Sequence, residues 1–386
     1  MRAAFVIINI PMIFTPLQDA LRKHASETAA PMAESEYRGA TAAAVFGDAG
    51  EEFAALRDGC GVHDLGFRAR ISVKGGDRVR WMNGMVTNNI RDLAAGHGVY
   101  AFLLNAQGRI LGDMHVYNAG EALEVETDRA QLDKILATFD HFIIMDDVEI
   151  SSIGENWTAL GVTGPKSREI LLAAGIEFPE LQPLEMATAK CNCDCGCVEC
   201  TIIRSDLTEG SYELWIAPKD VYQTWQGLVA AGAKAVGSRA WEMLRISLGV
   251  PLYGVDIRER DLPQETEQAR ALNFNKGCYV GQEIVERIRS RGNVHRKFTG
   301  FLSLGVAKVA AGDKIVVAEK EVGEITSAAI LPASPGEQTV ALGYIRREVG
   351  APGQEVAIAG VKATVTQLPL GGALPETAGD AVLRQA

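Results

Sequence analysis

The sequence predicts an α+β protein that ends in a small all-β barrel or sandwich. Strand-like and helix-like segments interleave between residues 61 and 248, which argues against a helical bundle and against a pure sandwich. After about Val294 the chain changes to short apolar strands separated by Gly/Pro turns. A chain of 386 residues also exceeds the usual size of one compact core, so we expect two or three domains.

Hydrophobic spacing places the individual elements along the chain. Helical periodicity predicts helices at residues 16–23, 51–57, 129–142, 221–231 and 239–248, and a further helix that starts at about Gly164. Alternation predicts strands at residues 69–74, 100–104, 159–162, 198–204 and 212–216. In the C-terminal part, strands are expected at residues 298–302, 314–317, 339–345 and 361–365.

Charge and composition narrow the classes of function. The formal net charge of −11 disfavours general affinity for nucleic acid or anionic lipid. No apolar run approaches the roughly 20 residues that span a bilayer. The apolar N-terminus is interrupted by Asn9 and Pro11, so it is interpreted as an extension or as sequence ahead of a true start at Met12. Seven cysteines, five of them at residues 191–200, favour a reducing compartment, and we expect a cytoplasmic protein.

The cysteine run at residues 191–200 is a candidate soft-metal site. A turn at residues 194–196 would fold it into a hairpin and bring Cys193 toward Cys197, with Cys195 and Cys200 as further thiolate ligands. The spacing matches no standard zinc-finger or ferredoxin pattern, so an incidental thiol-rich hairpin stays the alternative. The six histidines stand apart in the sequence and form no paired metal motif.

The segment Lys276-Gly-Cys-Tyr-Val-Gly-Gln-Glu283 has a different character. Glycines on both sides of Cys278-Tyr-Val allow a tight turn that exposes the thiol. The apolar spacing that follows predicts a helix from about Gly281. A thiol just before a helix N-terminus, with Lys276 nearby, has two neighbours that favour the thiolate. A loop cysteine that merely packs is the alternative interpretation.

This segment, with Arg287, Arg291 and Arg296 after it, resembles the signature of the YgfZ-type folate-binding proteins of the glycine-cleavage T-protein (aminomethyltransferase) superfamily. The resemblance covers nearly all of residues 40–370 and includes the stretches 85–89, 104–113, 205–214 and 244–254. It implies an α+β fold built as a three-domain glycine-cleavage T-protein-like ring around a folate channel, with a C-terminal β-barrel. The implied domains are 15–125 with 238–292, a ferredoxin-like unit at 126–237, and the barrel at 293–370. Residues 1–14 and 371–386 are expected to be flexible.

The resemblance also implies tetrahydrofolate, or a one-carbon derivative of it, as the cofactor. Glu213 matches the glutamate that hydrogen-bonds the pterin ring, and a carboxylate can accept two parallel N–H bonds from such a ring. Arg245 matches an arginine that lines the same site. Arg287 and Arg291 either hold a polyglutamyl folate tail or form a solvated helix face. The candidate cofactor-binding residues are Glu213, Arg245, Tyr253, Lys276, Arg287 and Arg291.

One position departs from the aminomethyltransferase pattern. Those enzymes carry paired aspartates where this chain has Gly112-Asp113, and the first aspartate is the one associated with activating the folate nitrogen. A glycine can neither orient nor deprotonate a substrate. The sequence therefore predicts a folate pocket without aminomethyl transfer, with Cys278 as the functional thiol and Asp113 as the remaining candidate carboxylate.

Three functions are compatible with these features. The first is a tetrahydrofolate-binding protein that supports iron–sulfur cluster assembly or repair, with iron–sulfur proteins or assembly factors as partners. The second is a folate-dependent one-carbon transferase in which Asp113 substitutes for the missing carboxylate. The third is a thiol-rich metal-binding protein that uses residues 191–200. No nucleic-acid or membrane partner is expected.

Overall fold

The computed structural model describes residues 13–24, 31, 33–193, 196–292, 294–303, 305–333 and 336–370. The expectations for residues 1–12 and 371–386 lie outside the described residues. The α-helices are α1 (Pro16–Lys23), α2 (Ala49–Asp58), α3 (Arg78–Met85), α4 (Leu132–His141), α5 (Ser167–Ala173), α6 (Val221–Ala230), α7 (Ser238–Leu248) and α8 (Gln282–Arg291).

The strands fall into two groups along the chain. Those before α8 are β1 (Ala33–Tyr37), β2 (Ala40–Val45), β3 (Gly61–Asp64), β4 (Arg68–Lys74), β5 (Gly98–Leu104), β6 (Ile110–Asn118), β7 (Leu123–Asp128), β8 (Glu149–Ser152), β9 (Thr158–Thr163), β10 (Ile176–Glu177), β11 (Met186–Cys193), β12 (Gly196–Arg204), β13 (Ser211–Ile216) and β14 (Lys234–Val236). Those after it are β15 (Arg296–Ser303), β16 (Lys314–Val317), β17 (Lys320–Pro332), β18 (Glu337–Arg346), β19 (Glu355–Ile358) and β20 (Val361–Thr366).

The strands form four sheets. Strands β1 and β2 make a hairpin, and a seven-stranded sheet has the order β10-β11-β12-β13-β9-β3-β14. A five-stranded antiparallel sheet has the order β5-β6-β7-β4-β8. The last six strands close into a barrel, β15-β18-β17-β16-β19-β20, in which β20 pairs back onto β15. The predicted α+β class and the C-terminal barrel are confirmed, and the sandwich alternative is excluded.

Two barrel strands escape the sequence prediction for a physical reason. Strand β17 carries a bulge between Ile325 and Ser327, which shifts the inward–outward alternation by one residue. Strand β19 has four residues and is defined by its pairing with β16 and β20, which its local sequence does not show. The helix predicted at residues 129–142 also divides, because a 3₁₀ turn at Arg129–Gln131 precedes α4.

Helix α7 connects the parts of the molecule. It packs against α2, against β2 and against the barrel strands β17 and β18. The expected domain boundary between residues 125 and 126 falls inside β7, and β14 pairs in parallel with β3 across the boundary expected at residue 237.

In the described part of the chain, no helix is both long enough and apolar enough to cross a membrane.

Candidate functional site

A cavity lies where the five-stranded sheet, the seven-stranded sheet and α7 meet. It contains about 820 Å³ of atom-free space, part of it open to solvent. Strands β5, β6 and β7 supply one wall, and Glu213 on β13 and Trp241 on α7 supply another. Its charged lining residues are Arg38, Arg68, Asp113, His115, Glu126, Asp128, Asp206, Glu213, Arg245 and Arg270.

Strand alternation on β7 explains how buried charges come to face this cavity. Leu123 and Val125 point into the hydrophobic core of the five-stranded sheet. Glu126, which follows Val125, and the last residue, Asp128, lie on the opposite face and line the cavity, because successive side chains of a strand lie on opposite faces. Glu126 lies opposite His115 of β6 in the strand register. None of these three polar residues is among the candidate site residues predicted from the sequence.

Arg68 joins two of the carboxylates that line the cavity. Its Nη1 atom donates to Glu126 Oε1 and, at 2.7 Å, to Glu213 Oε1. Burial raises the pKa of Glu213, and the charge of Glu126 adds to this effect, while Arg68 opposes it. The Oε2 atoms of both glutamates are buried and have no hydrogen-bond partner among the described residues. The described residues therefore leave two acceptor atoms of the cavity lining without a donor.

Asp113 faces the cavity, and Gly112 does not. Asp113 Oδ2 accepts from the Tyr100 hydroxyl at 2.7 Å, and Oδ1 accepts from Gln131 Nε2 at 2.8 Å. A Cβ atom at position 112 would lie 3.1 Å from Gln131 Oε1 and 3.4 Å from the Ile135 side chain, on the side of α4. The remaining aspartate of the pair, and not Gly112, therefore lies on the cavity side of β6.

A second charged group surrounds His115. Its Nε2 atom lies 3.8 Å from Asp206 Oδ1, and Arg270 donates to the other oxygen of that carboxylate. Burial works against the charged imidazole, but the negative charge of Asp206 prevails and raises the pKa of His115. Burial likewise opposes the charge of Asp206, yet Arg270 and His115 hold the pKa of its carboxyl well below its usual range. This part of the cavity thus holds an imidazole beside a carboxylate that favours its protonated form.

Arg245 and Tyr253 line the cavity, but protein groups already occupy their polar atoms. The Arg245 guanidinium donates to both oxygens of Glu242, to Val250 O, to Asp256 Oδ2 at 2.7 Å and to Ser327 Oγ at 3.0 Å. Each of its five N–H groups has an acceptor, so it has no donor left for a ligand. The Tyr253 hydroxyl donates to Leu111 O and accepts from Lys134 Nζ, each at 2.6 Å.

The structure separates the segment at residues 276–283 from the cavity. Lys276 Nζ donates to three backbone carbonyls, those of residues 83, 86 and 88, each at 2.6 Å, and burial together with Arg91 lowers its pKa to about 7. Cys278 is exposed, and α8 begins at Gln282 with Gly281 as its N-cap, which agrees with the predicted helix start just after the thiol. Neither Lys276 nor Cys278 lines the cavity.

The two arginines for which a folate tail and a solvated helix face are the alternative interpretations belong to α8. Arg287 is exposed, pairs with Glu283 at 2.6 Å and does not line the cavity. Arg291 is the last residue of the helix. These positions agree with the solvated-face interpretation of Arg287, and the structure does not bring Arg287 to Glu213.

The cysteine run forms the predicted hairpin of β11 and β12. Cys193 lies opposite Gly196, and Asn192 lies opposite Cys197, while Cys195 lies outside the described residues. Cys200 is buried in the core of the seven-stranded sheet, where burial raises the pKa of its thiol to about 11. Among the residues that the structure describes, no cluster of three or more His, Cys, Asp and Glu side chains is arranged to hold a metal ion.

Known proteins resemble this chain over most of its length. The family model described as the GCVT N-terminal domain matches residues 17–276. An aminomethyltransferase of Rubrobacter xylanophilus is 29% identical over 302 residues, which cover 77% of this chain and 79% of that protein. An aminomethyltransferase of Symbiobacterium thermophilum is 27% identical over 335 residues, covering 83% and 88%. The crystal structure of the glycine cleavage system aminomethyltransferase T from Bartonella henselae has the same fold, with a TM-score of 0.82, 20% identity and coverage of 95% of this chain and 100% of that one.

Proposed function

The chain belongs to the glycine-cleavage T-protein superfamily, through the GCVT N-terminal domain family, and we propose that its cavity binds a reduced folate. The observation that carries the proposal is Glu213, which lines the cavity with one buried oxygen that no described residue satisfies. The aminopyrimidine edge of a pterin offers the N–H donors that such a carboxylate accepts. Tetrahydrofolate or a one-carbon derivative is the proposed ligand, because the relatives are aminomethyltransferases and the family resemblance of the sequence implies this cofactor.

Calorimetry with tetrahydrofolate tests the proposal directly. The wild type should bind, and ligand at a hundred times its Kd should stabilise it by about 2.7 kcal/mol. Glu213→Gln replaces one acceptor oxygen by a donor, so affinity should fall by a factor on the order of 10 or more. The matched control is Glu209→Gln, in the exposed turn before β13, which should bind like the wild type. Absence of both heat and thermal stabilisation in the wild type would exclude a folate site.

We further propose a YgfZ-type role for the folate-bound protein, in support of iron–sulfur cluster assembly or repair. The exposed position of Cys278 supports this role, because an iron–sulfur protein or assembly factor can reach a surface thiol that small ligands of the cavity do not contact. In cells that lack the chain, the wild type should restore the activity of iron–sulfur enzymes, and Cys278→Ser should not. Folate binding by Cys278→Ser should stay at the wild-type level. Full restoration by Cys278→Ser would remove the thiol from the proposed role.

One observation favours a second candidate, folate-dependent one-carbon transfer. Asp113 faces the cavity, and both of its oxygens are oriented by hydrogen bonds from Tyr100 and Gln131. A fixed carboxylate near a folate nitrogen can act on its proton. Tetrahydrofolate-dependent release of a one-carbon unit is the discriminating assay. Turnover that disappears in Asp113→Asn and persists in Cys278→Ser would establish this candidate, and no turnover by the wild type would exclude it.

A further inference from the structure

We infer that Glu126 is a second ligand-recognising carboxylate, and that Glu126, Glu213 and His115 together select a flat heterocycle whose edge carries a carbonyl followed by two N–H donors. The inference rests on the proposed function, since it specifies how the same cavity discriminates between ligands.

The two glutamates share one guanidinium nitrogen. Arg68 Nη1 contacts Oε1 of Glu126 and Oε1 of Glu213, and the side chains of these glutamates are only 2% and 7% exposed. Each carboxylate thereby keeps its Oε2 atom buried and without a partner among the described residues. Two acceptors in one cavity, held by a common cation, form a fixed pair for a ligand with two donors.

The pairing of Glu126 and Glu213 with a single arginine favours a ligand that carries N–H donors. Two buried carboxylates share one guanidinium nitrogen, so each is left with an oxygen that Arg68 does not satisfy. Buried charge needs compensation by hydrogen-bond donors or by positive charge. A ligand edge with adjacent N–H groups supplies that compensation. A ligand carbonyl at the same place would set two acceptors against each other.

His115 is the third residue proposed to contact the edge of the heterocycle. It lies opposite Glu126 in the register of β6 and β7. Its Nε2 atom is buried and lies 3.8 Å from Asp206, too far for a hydrogen bond, while the acidic neighbour favours an N–H at this position. One donor beside two acceptors is complementary to a 2-amino-4-oxopyrimidine edge. A 2,4-dioxopyrimidine edge has a carbonyl where the second donor is needed.

Two simple heterocycles test this complementarity by calorimetry on the full chain. The wild type should bind 2-amino-4-oxopteridine more tightly than 2,4-dioxopteridine by a factor on the order of 10 to 100. Glu126→Gln should shrink that ratio, because its amide N–H can donate to the 2-oxo group of the second compound. The matched control is Glu121→Gln, an exposed glutamate in the loop before β7, which should keep the wild-type ratio. Thermal unfolding without ligand confirms that both variants are folded.

These measurements distinguish a failure of the Glu126 inference from a failure of the proposed folate site. If Glu126→Gln keeps the wild-type ratio while Glu213→Gln loses affinity for tetrahydrofolate, Glu126 is not a recognition residue and the folate site stands. If the wild type binds both pteridines equally, the donor–acceptor pattern is wrong. If the wild type binds neither the pteridines nor tetrahydrofolate, the folate proposal itself fails, and the inference with it.

Discussion

The Tyr100 hydroxyl donates to Asp113 Oδ2 at 2.7 Å within the cavity. Burial raises the pKa of Tyr100 well above its usual range, and the charge of Asp113 raises it further, so the tyrosine stays protonated and remains the donor. Gln131 fixes the other oxygen of Asp113 from the turn before α4. The carboxylate is therefore oriented before any ligand arrives, which is what a binding or catalytic group requires.

Tyr100→Phe isolates the hydrogen bond between these two residues. The phenylalanine ring can keep the stacking under Arg270, whose guanidinium lies 4.4 Å from the ring centre, so only the hydroxyl is lost. A hydrogen bond to a charged acceptor contributes about 1.5–3 kcal/mol, and we expect the free energy of unfolding to fall by that amount. Urea denaturation at neutral pH measures it. An unchanged unfolding free energy would mean that water replaces the hydroxyl without loss.

The orientation of Asp113 shows what the sequence could and could not provide. Residues 110–118 form one strand, so positions 112 and 113 must face opposite sides, and this signal was present in the alternation. The alternation did not show which of the two sides faces the cavity. The cavity forms only when β6 packs against parts of the chain that follow it by about 100 residues or more. The same holds for Arg68 and Glu126, which are joined to Glu213 only by the packing of two sheets.

For the segment around Cys278, the sequence predicted the local structure but not its position relative to the cavity. Its sequence signature was strong, and the glycine turn, the exposed thiol and the helix after it are all present. Its position away from the cavity could not be predicted, because it depends on the three carbonyls near the end of α3 that hold Lys276. A sequence motif fixes local conformation, whereas distance from a site is set by long-range contacts.

Arg245→Met tests whether this arginine holds the fold together or contacts the ligand. The change would leave Asp256, which is fully buried, without its cation. Removing one partner of a buried ion pair costs about 3–5 kcal/mol, so the unfolding free energy should drop by that much. The matched control, Arg239→Met, alters an exposed arginine of the same helix and should change it by less than about 0.5 kcal/mol. A stable Arg245→Met variant that has lost only folate affinity would contradict the architectural role.

Gly281→Ala tests the turn that leads from Cys278 into α8. Gly281 has a φ of +81°, and a Cβ atom there would lie 2.5 Å from the backbone oxygen of Asn105. Both the left-handed conformation and this contact oppose a side chain, and we expect a loss of about 1–3 kcal/mol in unfolding free energy. Gly292→Ala, at the other end of α8, has extended backbone and open space around it, and should change stability by less than about 0.5 kcal/mol. Equal stability of the two variants would contradict the close approach of this turn to residue 105.

His63 should make the stability of the protein depend on pH. Its ring is buried, stacks on Trp241 with 4.0 Å between centroids, and lies so close to Gly161 that a Cβ atom there would overlap it. Burial, reinforced by the charge of Arg68, lowers the pKa of His63 from 6.5 to about 3. Between these values the unfolded chain binds a proton that the folded protein does not bind. The contribution of the neutral His63 ring to the free energy of unfolding is therefore fully present above pH 6.5. It is lost as the pH falls toward 3.

His63→Gln removes this titration and should flatten the pH dependence. The pKa of the neighbouring Asp64, raised to about 6 by burial, has the opposite effect on stability between pH 3.8 and 6, but Asp64 is present in both proteins and cancels in their difference. The stability advantage of the wild type over His63→Gln should be constant from pH 8 to 7. It should then shrink by up to about 1.4 kcal/mol per pH unit as the pH falls from 6 to 4. Chemical denaturation across this range measures both curves, and parallel curves would show that water reaches the ring and lets it protonate in the folded state.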